Sequence, residues 1–487
     1  MIRIGRAFAV CAVLAASTLP AFASPWAEVG DGQLRSDIEI LATAGVIDDI
    51  TTHWPLPWAS IVSRLRAQGV MHGQPGFVRE AAERVLATAS DQMRINEMRV
   101  SATVDGTNAP AVVRGFDSLG RETAQGQVSA EYMTDTTAVR LSIGGELQNH
   151  TGRAAIVPDG SYVAQKIGGA TIYGGYITHW WGPGWISALS LSNNAHPMPQ
   201  IGIERDSTDA FRTPWLSWLG PWQAEFFIGW LDDSRVAVNT VYPGFRFTFN
   251  PLHGLEIGLA RTTQMCGTGH SCVPLRDYFD LQNDNNAVNH TNDEGLIDVK
   301  YSTMLGRYPA EVYMQLMNED SSPVSHSDTS HLFGASLWLP IGAAAPLRLT
   351  AEYSDTVPTV DIFSFGDVAH GDAYNNGGYI DGMRYRGRTL GFSLDSDSTL
   401  FTLQGAWRGA GGWSYELTYH HAAVDNPNNT LGNAVTTAPV HINLGEARVS
   451  FPFQGVNIDL EGRLADDQPR PFHGFQAAIE AGLSITL

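Results

Sequence analysis

Beyond its first 23 residues the sequence has no apolar stretch that reaches the about 20 consecutive residues needed by a membrane helix. Charge is also scarce, because Asp, Glu, Lys and Arg together make up 16% of the chain, against roughly 25% in ordinary soluble proteins. Aromatic residues reach 10% and glycine 50 residues. This combination argues against membrane helices and predicts a protein that contacts lipid through alternate residues of β-strands.

Basic residues are few compared with acidic ones. The chain has 30 Lys and Arg against 50 Asp and Glu. Without the first 23 residues, which contain Arg3 and Arg6 but no acid, the count is 28 against 50, a net charge of −22. A surface of this sign repels phosphate backbones, so we expect no nucleic-acid partner.

The first residues, MIRIGRAFAVCAVLAASTLPAFA, have the layout of a secretory signal. Arg3 and Arg6 precede an apolar run, and Ala21-Phe22-Ala23 is a small-residue cleavage pattern. Cys11 lies inside the apolar run and not at its end, which disfavours a lipoprotein signal. We therefore predict a signal peptide over residues 1–23 and an exported mature chain.

Cysteine is nearly absent from the predicted mature chain, which keeps only Cys266 and Cys272. In an oxidising compartment these two are close enough in sequence to form a disulfide within a surface loop. A metal site built from Cys266, His270 and Cys272 is the alternative, but no further ligand cluster stands nearby. We expect the disulfide, and neither a metal ion nor another cofactor.

Residues 24–92 are predicted to form a small helical bundle. Asp31 is a plausible N-cap for a first helix that ends near Gly45, the prolines of 54–58 force a turn before a second, and Gly76 precedes a third. Three short helices are too small to form a stable hydrophobic core of their own. We expect this unit to cover the periplasmic mouth of a barrel formed by the rest of the chain.

Residues 93–487 show the period of two that is typical of half-buried strands. The period is clear in 347–354 (LRLTAEYS), in 475–487, and in the hairpin of 245–259 around the turn at 251–254. The alternation at 390–394 likewise predicts a strand that ends in a turn at 395–398.

Short turns alternate with long polar loops at 262–294, 355–388 and 421–439. A soluble sandwich would show no such asymmetry between its ends, so the pattern favours an all-β transmembrane barrel of about 18 antiparallel strands, allowing roughly 22 residues per strand and loop. Charged residues of both signs stand opposite the apolar ones, and we expect them to pair across the lumen. The barrel predicts location in a bacterial outer membrane.

One stretch, HWWGPGWISALSLSNNAHPMP (179–199), is unusually rich in tryptophan, glycine and proline. Its Gly-Pro-Gly would bend the chain at a strand end or inside the barrel mouth. Trp180, Trp181 and Trp185 would then fill space around the bend or lie in the interface belt. Packing is the favoured role for these rings, and stacking on the apolar face of a sugar is the alternative.

This stretch and the motifs that follow it, in their order along the chain, resemble the capsule-assembly Wzi family. The matching motif residues are Trp181, Gly182, Pro183, Gly184, Ser192, Asn193, Asn194, Pro197, Arg205, Gly220, Pro221, Trp222 and Arg261. The resemblance implies an 18-stranded barrel with a helical bundle at its periplasmic mouth. It also implies a lectin-like outer-membrane protein that binds capsular or other surface polysaccharide and assists capsule assembly or attachment. A porin for small solutes is the alternative function.

Candidate glycan contacts come from the aromatic stretch and from MRYRGR (383–388). There, three arginines at period two would project together if the segment is extended at the outer rim, and guanidinium groups suit carboxylates or phosphates. Pairing with lumenal acids such as Glu416 is the favoured role of these arginines, and contact with an acidic polysaccharide or a lipopolysaccharide phosphate is the alternative. The candidates are Trp181, Trp185, Asn193, Asn194, Tyr379, Arg384, Tyr385, Arg386 and Arg388.

No catalytic constellation is recognisable. Serine stands beside histidine at 269–271 and 325–327, but neighbouring residues of an extended chain point to opposite faces and no acid partner is specified. We expect a protein that is not an enzyme, with polysaccharide and outer-membrane lipid as partners, and a monomeric barrel.

Overall fold

A computed structural model describes residues 25–147, 154–232, 234–279, 291–319, 328–340, 346–362 and 364–487. The predicted signal peptide lies outside the described residues. The helices are α1 (Gly32–Thr43), α2 (Trp58–Leu65), α3 (Gly76–Gln92) and α4 (Leu275–Tyr278). The strands are β1 (Trp26–Ala27), β2 (His53–Trp54), β3 (Leu56–Pro57), β4 (Met98–Thr107), β5 (Ala124–Met133), β6 (Thr137–Leu147), β7 (Ala154–Val157), β8 (Tyr162–Ile167), β9 (Ala170–Gly175), β10 (Trp180–Trp181), β11 (Gln200–Arg205), β12 (Trp222–Trp230), β13 (Val241–Leu252), β14 (Leu255–Gln264), β15 (Asn292–Leu305), β16 (Tyr308–Glu319), β17 (Thr329–Leu339), β18 (Leu347–Thr359), β19 (Arg384–Tyr385), β20 (Arg388–Thr389), β21 (Thr399–Arg408), β22 (Ser414–Val424), β23 (Val440–Phe453), β24 (Val456–Ala465) and β25 (Gln476–Thr486).

The long strands form one closed antiparallel barrel. Neighbours in sequence pair along its wall, and β25 pairs with β4 to close it. Strands β7 and β8 both pair with β6, at its two ends, and therefore occupy one position in the wall. Counted this way the barrel has 18 strands, which confirms the prediction.

Side chains of the wall alternate between a polar inside and an apolar outside. In β18, Arg348, Thr350 and Glu352 are buried, whereas Leu349 and Tyr353 are exposed. An apolar exterior around a charged interior is the arrangement of a membrane barrel and the reverse of a soluble one. Among the helices of the described ranges, none has the length and apolarity to cross a membrane.

The two ends of the barrel differ, as the sequence predicts. At the short-turn end, connections such as 168–169, 253–254 and 454–455 contain two residues each. At the long-loop end the connections include 108–123, 176–199 and 360–398. These last three carry buried side chains that pack inside the lumen, and we call them the inward segments.

One strand prediction is wrong. Residues 389–398 are buried on both sides and form no wall strand, because this stretch belongs to an inward segment and β21 begins only at Thr399. A wall strand must expose alternate residues to lipid, whereas Leu390, Phe392 and Leu394 are all buried in the lumen. Alternation in sequence cannot distinguish the two situations.

Helices α1 to α3, with β1 to β3, form a helical unit at the short-turn end. The Asp31 carboxylate accepts a hydrogen bond from the Leu34 N–H (2.8 Å) and caps α1 as predicted. Arg84 of α3 holds Asp37 of α1 with two hydrogen bonds of 2.7 and 2.8 Å. Because α1 is buried on nearly all sides, the unit packs into the barrel and not merely across its opening.

Candidate functional site

The helical unit and the inward segment 176–199 meet inside the barrel and form a two-stranded sheet there. In it β2 pairs with β10, with Trp54 opposite Trp180 and His53 opposite Trp181. The Gly182 N–H extends the pairing by donating to the Thr52 carbonyl (3.0 Å). The barrel is thus filled from both ends by segments that bond to each other at its centre.

Arg35 of α1 fixes the Gly-Pro-Gly bend. Its guanidinium donates to the carbonyls of Pro183 (2.7 Å) and Gly184 (2.8 Å), and it lies 4.2 Å from the ring centre of Trp185. Burial lowers the pKa of Arg35 from its ordinary value, while the charges of Glu39 and other acids raise it. The planar, multiply donating guanidinium suits a site that offers two carbonyls and an aromatic face.

The two glycines of the bend are required by space. Gly182 has φ of 144°, and a Cβ placed there would lie 2.5 Å from the Gln315 amide. A Cβ on Gly184 would lie 2.1 Å from the Ser187 carbonyl oxygen. A larger residue at Gly182 would have to displace the Gln315 side chain and hold a φ that favours glycine, and one at Gly184 would have to move the backbone.

The tryptophans of this stretch pack in the interior. Trp180 and Trp181 are 0% exposed and Trp185 is 2% exposed. The Trp185 indole donates to Glu311 (2.8 Å), and its backbone N–H donates to Glu352 (2.7 Å), both on the wall. These rings therefore fill the space around the bend, which is one of the roles that the sequence allows.

The Ser-Asn-Asn of residues 192–194 joins the three inward segments. Asn193 donates to the carbonyl of Phe116 in 108–123 (2.9 Å), and Asn194 donates to that of Thr389 in 360–398 (2.9 Å). The Ser192 hydroxyl donates to the Gly391 carbonyl (2.6 Å). The amide nitrogens of Asn193 and Asn194 therefore donate to buried backbone carbonyls, which need such partners.

Charges on the wall pair with the helical unit across the lumen. Lys300 donates to Glu39 of α1 (2.7 Å), and the N–H groups of Thr51 and Thr52 donate to Glu256 (3.1 Å). Arg246 bonds Asp298 within the wall (2.8 Å). Each of these groups is almost completely buried, as lumenal pairing predicts.

His53 of β2 lies between two wall strands. Its ring nitrogens lie 3.3 Å from the Thr248 hydroxyl and 3.3 Å from the Glu225 carboxylate. Burial lowers the pKa of His53 below 6.5, although Glu225 raises it in part. The neutral imidazole therefore donates to Glu225 and accepts from Thr248.

The three arginines of MRYRGR do not share a face, so that expectation is wrong. The segment is a tight hairpin of β19 and β20 whose turn residues Arg386 and Gly387 have φ of 50° and 79°. Arg384 binds Asp395 (2.8 Å) and Arg388 binds Glu122 (3.4 Å), so both pair with acids other than Glu416. Arg386 alone of the three is exposed, at the tip.

Cys266 and Cys272 are joined by a disulfide. Their loop packs on an inward segment, because Tyr379 donates to the Cys266 carbonyl (2.8 Å) and stacks on His270 (4.0 Å between ring centres). Tyr379 and Tyr385 are both buried. Within the described ranges, no group of three potential metal ligands is close enough to hold an ion.

The remaining motif residues lie on the wall and its connections. Arg205 covers the ring of Trp222 (3.9 Å) and donates to its carbonyl (2.7 Å), and Pro197 is buried in an inward segment. Gly220 adopts φ of 66° before Pro221. Arg261 holds Asp293 (2.9 Å).

Sequence reasoning missed the residues on the inner side of this network. Arg35 and Glu39 look like the solvated face of an amphipathic helix, and Tyr374 looks like part of a polar loop. In the structure the Tyr374 hydroxyl donates to the Leu189 carbonyl (2.5 Å), linking two inward segments. The charged residues predicted to line the lumen could have indicated these contacts, because a helix that enters such a lumen must carry polar residues where it contacts the wall.

Comparison with known proteins adds a family. A family model described as "Capsule assembly protein Wzi" matches residues 94–466, well over half of the chain. An uncharacterized 55.8 kDa protein in the cps region of Klebsiella pneumoniae is 27% identical over 338 residues. That match covers 66% of this chain and 64%, less than two thirds, of the relative.

A solved structure has a similar fold. Wzi of Escherichia coli, an outer membrane protein involved in group 1 capsule assembly and a carbohydrate-binding β-barrel, superposes with a TM-score of 0.80. The two chains are 21% identical, and the superposition covers 94% of this chain and 98% of the other. At this identity the similarity shows the fold.

Proposed function

Because the chain belongs to the Wzi family of capsule assembly proteins, we propose that it is an outer-membrane protein that binds surface polysaccharide through its long-loop end. The observation that carries the proposal is family membership together with a barrel of the same fold as a carbohydrate-binding relative. It acts by binding alone, as a monomer without cofactor. The helical unit then faces the periplasm and the long loops face outward.

The filled lumen favours this function over that of a porin. Arg246, Glu256, Asp298 and Lys300 are each 0–1% exposed, although they project into the barrel. An open channel of this strand number would be lined by hydrated side chains. A ligand too large to enter must therefore be bound on the outer surface.

Two loops of the long-loop end, 425–439 and 466–475, offer an ordered surface for such a ligand. Asn433 donates to the carbonyls of Leu394 (2.9 Å) and Ser396 (2.7 Å), and Arg470 is held by Asp467 (2.8 Å). Loops fixed in this way lose little conformational entropy when a glycan binds. Phe472, 68% exposed, presents an aromatic face for the apolar side of a sugar ring.

Among the glycan-binding candidates, Arg386 is the one whose side chain is exposed. Arg384 and Arg388 position the hairpin through their acid partners, and Trp181 and Trp185 are buried in the interior. We infer that Arg386 contacts an acidic group of the polysaccharide, because a guanidinium at a rigid hairpin tip can bind a carboxylate or phosphate with two hydrogen bonds.

The test is binding of purified protein to a panel of acidic and neutral capsular polysaccharides at several salt concentrations. Arg386→Gln should weaken binding of an acidic glycan several-fold and flatten its salt dependence, because one exposed ion pair is lost. Arg307→Gln, at an exposed short turn of the opposite end, is the matched control and should bind as the wild type does.

Two results would count against the proposal at different levels. Unchanged affinity in Arg386→Gln would contradict the contact by Arg386 and assign glycan binding to other loops of the long-loop end. Absence of binding to any polysaccharide, together with steady conductance in a planar bilayer, would favour the porin alternative.

A further inference from the structure

The connection between β11 and β12, residues 206–221, is unlike its neighbours at the short-turn end. Two-residue turns join β8 to β9, β13 to β14 and β23 to β24 there, whereas this connection is 16 residues long, from the end of β11 at Arg205 to the start of β12 at Trp222. Its sequence, DSTDAFRTPWLSWLGP, carries three large aromatic residues. Such length is not needed to reverse two adjacent strands, so the segment requires another explanation.

The connection folds outward over the lipid-facing surface of the barrel. Phe211 stacks on Trp222 (4.3 Å between ring centres), and Trp218 packs edge-on against Phe249 (6.3 Å). Trp222 and Phe249 are opposite each other on β12 and β13. They point to the lipid side, because their neighbour Thr248 points inward to His53.

Two tryptophans of the connection remain exposed. Trp215 is 71% exposed and Trp218 is 63% exposed, and they are three residues apart at one turn of the chain. Arg212, three residues before Trp215, is exposed as well. Indole rings beside a guanidinium form the combination that resides at a membrane interface, where the ring enters the headgroup region and the cation binds lipid phosphate.

The inner side of the same connection is bonded to the helical unit. The Thr208 hydroxyl donates to Asp48 (2.6 Å), and its N–H donates to the Ser60 hydroxyl (2.9 Å). Arg64 of α2 binds Asp48 (2.9 Å) and reaches Asp209 (3.6 Å). The connection therefore spans the rim, with one side on the helices and the other outside the wall.

We propose that residues 206–221 are a membrane anchor that inserts Trp215 and Trp218 into the headgroup region of the lipid leaflet at the short-turn end and holds the helical unit at the rim. The bound partner is the lipid surface, because Trp218 and Phe211 pack on the apolar outer face of β12 and β13 and so place the connection beside the lipid-facing wall. Arg212 supplies the contact to lipid phosphate.

The experiment uses the whole protein in lipid nanodiscs. Trp215→Cys is labelled with a polarity-sensitive fluorophore, which is feasible because Cys266 and Cys272 are joined in a disulfide. The label should emit at shorter wavelength in nanodiscs and be quenched by lipids that carry a nitroxide near the headgroup. Arg307→Cys, exposed at the turn between β15 and β16 of the same end, is the matched control and should show neither effect.

A label at position 215 that behaves like the label at 307 would overturn the proposal, since the loop would then lie in water. Shielding that requires an added soluble protein instead of lipid would overturn it too. If the cysteine variant fails to fold, Trp215→Ser replaces it. That variant should lose part of the quenching of intrinsic fluorescence by brominated phospholipid, and full retention would contradict the anchor.

Discussion

Arg35 joins two parts of the chain that lie almost 150 residues apart. Its two hydrogen bonds to the Gly-Pro-Gly carbonyls hold the inward segment 176–199 on α1, and the Trp185 ring covers the guanidinium. Residue type alone could not reveal this, because an arginine at the fourth position of a helix usually faces solvent. Residue type also could not decide among the possible locations of the three tryptophans of 179–199, because their location depends on which segment of the chain enters the lumen.

Arg35→Ala should weaken the docking of the helical unit. Two buried carbonyls would lose their donors, which costs on the order of 3 kcal/mol. Hydrogen exchange of the α1 amides should accelerate while that of the wall strands stays unchanged. Arg79→Ala, an exposed site in α3, serves as the control. Exchange in α1 at the wild-type rate in both variants would contradict the role of Arg35.

At the scale of elements, the two-residue strands β2 and β10 pair with each other and so join the helical unit to the inward segment 176–199. Their pairing was not predictable, because two-residue strands leave no periodic signal in sequence. A different limit explains the failures at 384–388 and 390–394. Alternation there arises in a hairpin and in a buried segment, whereas the sequence predicts an extended rim segment for the first and a strand for the second.

Docking of β2 should depend on pH through His53. Burial lowers the pKa of His53 in the docked state, so docking is strongest above pH 6.5 and weakens as pH falls below it, where the undocked imidazole takes up a proton. Glu225 counters the shift, and Arg246 and His179 add to it. Exposure of residues 176–199 to protease should therefore rise between about pH 6.5 and 5.

His53→Gln keeps a donor and an acceptor but does not titrate in this range. Its protease sensitivity should change little over the same interval. An equally steep response in this variant would assign the pH dependence to another group.

For the molecule as a whole, the strand number, the polarity of the two faces and the asymmetry of the ends were predictable from sequence. They depend on local periodicity and on loop composition, which every strand repeats. The filling of the lumen was predictable only in part. A plug of residues 24–92 is expected from its position before the barrel, but the inward path of the three long connections depends on contacts such as Asn194 with Thr389.

Removal of residues 25–92 should convert the closed barrel into a conducting one. The deletion takes away Arg35, Glu39 and the β2 strand, so Glu256 and Lys300 become hydrated and 176–199 loses its partner. The intact protein should be nearly silent in a planar bilayer and the truncated one should pass ions. Heat-modifiable migration on a gel would verify that the barrel has formed. A well-folded but silent truncation would contradict the plug.

The bonded centre of the barrel also has a mechanical consequence. A hollow cylinder of 18 strands can flatten into an ellipse when it is pulled from one side, whereas a cylinder braced from within keeps its cross-section. Here the brace runs from Glu352 on the wall through Trp185 and Arg35 to α1. A polymer tethered to the outer loops and dragged by flow would therefore transmit its tension through the interior to many strands at once.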